Sequence, residues 1–385
     1  MRHTRTYYPV GHGAFFVEKL DYGADHPFIA VYDCGDSAKG TLVHKYAQQE
    51  FGKTEDGFRE KIDILFISHF DSDHINGLKY LKSYITQNTR VFLPFFYDKY
   101  KKLYKSSKRD GIKIVLNILS EIGITPILVS YQDEGQPADF DLDKPLADGD
   151  YARNDSPYPV IPSGTPIIKS TLGIWKYVPY NLFNEARLFH EFRAKIKASK
   201  KWSEAKLNAP DTWTEDEIRE LRQIYSTFSS YSINANSLIV LSKPIFTEYL
   251  FMDKCSGEYI QAGYLIKCER CHPTAVVASS LYTGDTVLKR GLAGKYHQTY
   301  LHLLARLRLQ TNRVGLMQIP HHGSSNNVNI ATLADCMSSS LFCNYDTNDI
   351  GNNTFLLKST LIKTIWKDIL SVTEKTKPIF ISLEY

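Results

Sequence analysis

The stretch Ser68-His69-Phe70-Asp71-Ser72-Asp73-His74 constrains this chain more than any other. It follows residues 61–67, an apolar, β-rich run that reads as a buried strand. Residues 75–81, Ile-Asn-Gly-Leu-Lys-Tyr-Leu, read as a turn opening into a helix. Two His and two Asp therefore sit within six residues, on the loop leaving a strand. Such a loop can fold back and aim four ligand atoms at one point. Imidazole suits Zn, Fe and Mn, and carboxylate oxygens shift the preference toward harder ions such as Mn. Four ligands at this spacing exceed what one ion needs, which points to two ions sharing a site. The bland alternative is a polar loop with chance histidines, but packing gives no reason to crowd four titratable groups at a strand end.

The pattern His-x-Asp-x-Asp-His after a strand resembles the metal motif of the metallo-β-lactamase superfamily. The usual form there is His-x-His-x-Asp-His, and Asp71 stands at the second His. That substitution resembles the ComEC family of DNA-uptake competence proteins, whose soluble domain carries Ser-His-x-Asp-x-Asp-His-Ile-x-Gly. Residues 68–77 follow it, with Asn76 where Gly is common. Further blocks agree in order. Residues 10–16 resemble the family's Val-Gly-Gln-Gly-Asp strand, with His12 for Gln and Ala14 for Asp, and Asp33-Cys34-Gly35 resembles its Asp-x-Gly. Residues 234–240, Asn-Ala-Asn-Ser-Leu-Ile-Val, resemble an Asn-x-x-Ser-Leu-Val strand. Thr283-Gly284-Asp285 and Pro320-His321-His322-Gly323-Ser324 resemble the bridging-carboxylate block and the last His block.

The resemblance implies an α/β (α+β) fold, the metallo-β-lactamase αββα four-layer sandwich, with the site in strand-end loops at one edge. The order of strands and helices implies two packed sheets with helices outside. The resemblance also implies two divalent ions (Mn or Zn), held by His69, Asp71, Asp73, His74, Asp285 and His322, with Asp285 bridging. Asp33 is expected to hydrogen-bond the metal loop rather than ligate. His12, Asn234 and Ser324 are placed behind the ligands or against substrate. Of His321 and His322 one is a ligand; His322 is favoured, leaving His321 as a proton donor. The superfamily's third His has no counterpart, since His190 is the sole His between His74 and His272. One ion would then have a sparse protein shell completed by water or substrate oxygens, which suits Mn or Mg-like chemistry on phosphate.

The 385 residues are read as a single domain, 1–385, with a loop and helical insertion over 131–232. The net charge of +4 permits a phosphate-bearing substrate without requiring one. No apolar h-region follows Met1, and no run approaches the ~18 apolar residues of a membrane span, so a cytoplasmic protein without membrane contact is expected. Residues 6–34 read as two strands, 41–60 and 111–122 as helices, 131–165 as a surface loop, and 166–178 as one or two strands. Residues 181–229 read as helical, with Thr214 and Glu217 able to form a capping box. Residues 236–252 and 259–267 read as core strands, 291–310 and 357–369 as helices.

Two basic runs stand out. Lys99, Lys101, Lys102, Lys105, Lys108, Arg109 and Lys113 interleave with Tyr97, Tyr100 and Tyr104. A second holds Arg193, Lys195, Lys197, Lys200, Lys201 and Lys206. Each is either a solvated face or a phosphate-tracking patch, and the tyrosines of the first could serve as stacking platforms for bases. Cys255, Cys268, Cys271 and His272 are either free side chains or a small structural Zn site.

The reaction these residues fit is metal-assisted phosphodiester hydrolysis. Asp73 binds one ion and orients water, and His321 or His322 protonates the leaving oxygen. Lys101, Lys102 and Lys105 place the polyanion. The leading reading is a soluble nuclease on DNA or RNA, a possible bacterial defence effector with a regulatory partner. The alternatives are a cyclic or small-nucleotide phosphodiesterase, and an acyl or lactam metallo-hydrolase. The paired Asp argue against the acyl reading, because that chemistry favours His-rich Zn shells. A relic site without activity is disfavoured by the complete ligand set.

Asp71→His restores the commoner motif and replaces a hard oxygen by imidazole. The ratio of Mn-supported to Zn-supported rate should fall in this variant. An unchanged ratio would remove Asp71 from the ligand set.

Overall fold

The computed structural model describes the chain except residues 25, 53–59, 105, 132–136, 147–148, 183–184, 199–201, 229–236, 247–248, 257–274, 289–294, 312–313, 325–326, 328–332, 334–337, 346–368, 374, 377 and 385. The fold is mixed α/β, built on two sheets. The first runs in the order Ala275–Val277, Tyr249–Ser256, Ile379–Glu384, Arg2–Tyr7, Phe16–Asp21, Phe28–Tyr32, Ile62–Phe66, Ile85–Pro94, Ile127–Ser130, Val160–Pro162. The second runs Ile369–Thr373, Ser338–Tyr345, Val314–Gln318, Ser280–Tyr282, Ile239–Pro244, Trp175–Tyr180, Ile167–Ile168, Phe140–Asp141.

Strand Phe28–Tyr32 shows why the layers stack. Its Phe28, Ala30 and Tyr32 point one way, into a core shared with Trp175, Tyr177, Val240 and Tyr282 of the second sheet. Its Ile29 and Val31 point the other way, into a second core cluster that also holds Val43 and Ala47 of helix Thr41–Phe51 and Ile112, Val115 and Leu119 of helix Ser106–Glu121. A strand apolar on both faces must be covered on both. The second sheet's outer face, with Val178, Ile239 and Leu241, packs on Leu303, Leu304 and Leu307 of helix Lys295–Gln310. Helix, sheet, sheet and helix thus follow one another.

The edge that matters is set by strand direction. From Phe28–Tyr32 to Val160–Pro162 the first sheet is parallel, and so is the second from Ser280–Tyr282 to Ile369–Thr373. The carboxyl ends of parallel strands deliver loops to one edge, where sites form.

Several expectations need correction. Residues 131–165 are not one surface loop: Phe140–Asp141 and Val160–Pro162 are edge strands of the two sheets. Trp175–Tyr180 lies inside the second sheet, so the helical part of 131–232 begins after Tyr180. It holds helices Glu185–Ala198, Glu204–Leu207 and Glu215–Phe228. The expected capping box is present: Glu217 N donates to Thr214 Oγ1 (3.3 Å), and Thr214 N to Glu217 Oε2 (2.8 Å). The strands expected at 259–267 and the helix expected over 357–369 fall almost wholly outside the described residues.

Arg2–Tyr7 is a strand that the polar opening of the chain conceals. It lies between Phe16–Asp21 and Ile379–Glu384. Its His3 and Arg5 are buried because Glu18 receives them: Arg5 Nε donates to Oε1 at 3.0 Å, and His3 Nε2 lies 3.2 Å from Oε2. Ser242 Oγ (2.6 Å) and Tyr282 OH (2.5 Å), from the second sheet, donate to the same carboxylate. One buried anion therefore ties the sheets together, each lone pair occupied.

Burial, then the neighbouring Arg5 charge, pushes His3 from an ordinary 6.5 down to about 4. A depressed histidine pKa means the unfolded chain takes up the proton first. Stability should be fully present above pH 6.5 and fall as pH drops toward 4, by about 3 kcal/mol in total. Urea midpoints of wild type and His3→Gln between pH 7.5 and pH 4.5 check this, using ~1-unit steps; equal pH slopes would exclude His3 as the sensor.

Candidate metal centre

Strand Ile62–Phe66 ends in Ile67 and Ser68, and the chain then turns into the short helix Ser72–Ile75. Asp71 takes the N-cap position and His74 falls in the single turn, so His69, Asp71, Asp73 and His74 are presented around one bend. The turn sits tight on its neighbours. A Cβ on Gly35 would lie 1.8 Å from the Asp73 carbonyl oxygen, and one on Gly13, at φ 97°, would lie 2.0 Å from it. Only glycine lets those two loops reach the ligand-bearing backbone.

Asp33, at φ 56° and fully buried, is the anchor. It accepts Ser68 N on Oδ1 (2.6 Å), and Ser68 Oγ (2.6 Å) and His74 Nδ1 (2.8 Å) on Oδ2. Asp33 thus lies behind His74, holding its Nδ1 so that Nε2 faces inward toward Asp285.

The second sheet supplies the opposite wall. Thr283-Gly284-Asp285 follows strand Ser280–Tyr282, and Gln318 Oε1 accepts both Thr283 N (2.9 Å) and Gly284 N (3.1 Å). His321 and His322 follow strand Val314–Gln318 in consecutive left-handed conformations, φ 49° and 54°. Two such non-glycine residues in a row are costly locally. His12 lies against His322, ring centroids 4.7 Å apart.

Asp285 is the hub. Its Oδ1 lies 3.4 Å from His74 Nε2 and 3.8 Å from His322 Nε2. Its Oδ2 lies 3.7 Å from His69 Nε2 and 3.4 Å from His321 Nδ1. On the Oδ1 side, Asp73 Oδ2 is 3.9 Å from His74 Nε2 and 3.8 Å from His322 Nε2. On the Oδ2 side, Asp71 Oδ2 is 3.8 Å from His69 Nε2. Adjacent ligands on a tetrahedral ion with ~2.1 Å bonds stand ~3.4 Å apart, so these gaps suit donors around a shared cation. His69, His74 and Asp285 could hold one metal ion, and Asp73, His74 and His322 form an overlapping group. The buried atoms His69 Nε2, His74 Nε2 and Asp71 Oδ1 have no hydrogen-bond partner among the described residues. Inward-facing imidazole nitrogens and carboxylate oxygens without partners fit a cation.

The electrostatics agree. Burial would raise the Asp285 and Asp73 carboxyls, but His74 foremost, with His322, holds both below the usual range. Burial would likewise lower His74, yet Asp285, Asp33 and Asp73 hold it well above the ordinary value. Burial and the neighbouring His74 push His69 down to about 4. Carboxylates, Asp285 first, thus hold His74 and His322 above the ordinary value, whereas burial holds His69 and His321 below it.

All six expected ligands therefore meet, with His321 beside them. Ser324 lies behind, its backbone N–H donating to His321 O (2.9 Å). Asn234, Lys105 and the group Cys268, Cys271 and His272 lie outside the described residues, as does the Cys255 side chain. The tyrosine platforms are a correction. Tyr97, Tyr100 and Tyr104 are buried against Phe189, Trp213 and Tyr225 of the helical segment, because apolar rings on a strand-end loop are the surface on which those helices dock. Lys101 is exposed and pairs with Asp98 (2.9 Å), while Lys102 donates to Pro210 O (3.2 Å). Sequence reasoning missed Asn327, whose Nδ2 donates to Asp285 O (3.0 Å) and lies 3.2 Å from His321 Nδ1. It also missed Gln318; a polar residue ending a buried strand was the available signal.

No protein-family model and no curated protein matches this chain.

Asp285→Asn should lower metal uptake more than His322→Ala, because Asp285 faces both sets of donors and His322 only the Oδ1 side. Metal stoichiometry by elemental analysis checks this; full loading of Asp285→Asn would refute a shared carboxylate.

Proposed function

We propose that the chain is a metal-dependent phosphodiester hydrolase working with two divalent ions, Mn or Zn, in a metallo-β-lactamase-like sandwich. The observation carrying this is the Asp285 carboxylate, each oxygen of which faces its own set of donors. His69, Asp71 and Asp285 would hold one ion, and Asp73, His74, His322 and Asp285 the other. A bound divalent pair supplies Lewis acidity toward phosphoryl oxygen and a lowered pKa for water at neutral pH.

The chain's own groups do the rest. Asp73 has a side chain 34% exposed, so it reaches from the ligand cluster toward solvent and orients the attacking water there. His321, 27% exposed, stands at the rim beside Asn327 and is placed to protonate the leaving oxygen. Exposed Lys99, Lys101 and Lys113 attract a polyanion.

A nuclease acting on DNA or RNA is the first reading. The burial of the three tyrosines removes the base-stacking argument for a polymer, which gives weight to a cyclic or small-nucleotide substrate as the second. Among the described residues no helix is long and apolar enough to cross a membrane.

Asp73→Ala should lower kcat by at least ~10³-fold on bis-p-nitrophenyl phosphate, with the far-UV spectrum retained. Linear DNA, circular DNA, RNA and cyclic dinucleotides, each with Mn and with Zn, define the substrate. Metal-loaded protein that cleaves none of them would refute the proposal.

A further inference from the structure

Between Asp33 and the two histidines of the loop lies one fully buried hydroxyl, that of Ser68. Its oxygen is 2.6 Å from Asp33 Oδ2, 2.9 Å from His69 Nδ1 and 3.3 Å from His74 Nδ1. A hydroxyl has one proton to give. Asp33 Oδ2, a carboxylate oxygen, can only accept, so the Ser68 proton goes there. The oxygen's lone pairs then face His69 Nδ1, which must bring the proton of that bond. A neutral imidazole protonated on Nδ1 keeps a bare Nε2. That Nε2 is the atom beside Asp285 Oδ2 and Asp71 Oδ2.

We propose that Ser68 is a positioning residue: its hydroxyl relays the Asp33 charge to His69 and locks that ring in the Nδ1–H tautomer, with Nε2 aimed at a cation. Asp33 thereby controls two ligands, His74 directly and His69 through Ser68. The backbone of Ser68 serves the same geometry, because its carbonyl accepts Leu238 N at 2.7 Å and fixes the residue against the second sheet. This rests on the reading of His69 as a metal ligand. It does not depend on which bond the enzyme cleaves.

The test is read on the metal-free protein labelled with ¹⁵N-histidine, by long-range proton–nitrogen correlation at pH 7. Wild type should show His69 protonated on Nδ1 and bare on Nε2. In Ser68→Ala the Nδ1 bond is lost, and His69 should move to Nε2–H or to a mixture, while the His74 Nδ1 proton on Asp33 persists. Ser68→Thr, which keeps the hydroxyl, should keep the wild-type pattern. Calorimetric Zn affinity should fall ~10–100-fold in the Ala variant and recover in the Thr variant. His69 found as Nε2–H in wild type overturns the proposal without any variant. So does an unchanged His69 tautomer with unchanged Zn affinity in a folded Ser68→Ala protein. The expected tautomers in a metal-loaded protein that cleaves no phosphodiester would support the role of Ser68 and defeat the functional reading, which keeps the two apart.

Discussion

The centre depends on a buried carboxylate that accepts three hydrogen bonds. An ionised Asp without partners could not remain at the middle of this fold, because desolvating it costs several kcal/mol. Asp33 is satisfied by a backbone N–H, a hydroxyl and an imidazole, all from the loop that follows the neighbouring parallel strand. The same three bonds that make its burial tolerable hold that loop in register. Its left-handed φ of 56° costs about 1–3 kcal/mol locally, which these bonds offset. The anchor and the ligands cannot be separated energetically.

The two sheets meet twice on buried anions, and the two meetings differ in kind. Glu18 sits among Arg5, His3, Ser242 and Tyr282, and its contacts are closed and internal. Asp285 sits among imidazoles whose inward nitrogens point at carboxylates. Tyr282 joins them, since its hydroxyl donates to Glu18 and its strand delivers Asp285 three residues later. One strand thus carries a structural anion contact at its core and a chemical one at its end. The first keeps the sheets in fixed alignment, and the second uses that alignment.

Much of this was legible in the chain. The cluster His69, Asp71, Asp73 and His74 was readable because donors crowded at a strand end have no packing purpose, Asp285 and His322 came from the resemblance alone, and the sheets were readable because apolar β-rich runs alternate with helical ones. What was hidden had physical reasons. Arg2–Tyr7 reads as a polar tail, and only a buried Glu18 on another strand makes it a central one. Tyr97, Tyr100 and Tyr104 read as an exposed platform, because a loop's neighbours in space do not follow from its neighbours in sequence. Asn327 and Gln318 matter only through contacts to Asp285 and its turn, which no local pattern announces.

The pairing of Arg2–Tyr7 with Ile379–Glu384 has a consequence for how the protein reaches its working form. Contacts this distant along the chain impose a large loop-closure cost and form late. His69 and Asp73 come from a compact parallel unit whose strands are close in sequence, whereas Asp285 and His322 come from the other sheet. The half with the Asp33 anchor can therefore assemble first, as a carboxylate-rich half-site facing nothing. The candidate donors of the two sheets come together only when the second sheet docks, so the His69–Asp285 and His322–Asp73 approaches are properties of the completed tertiary structure alone.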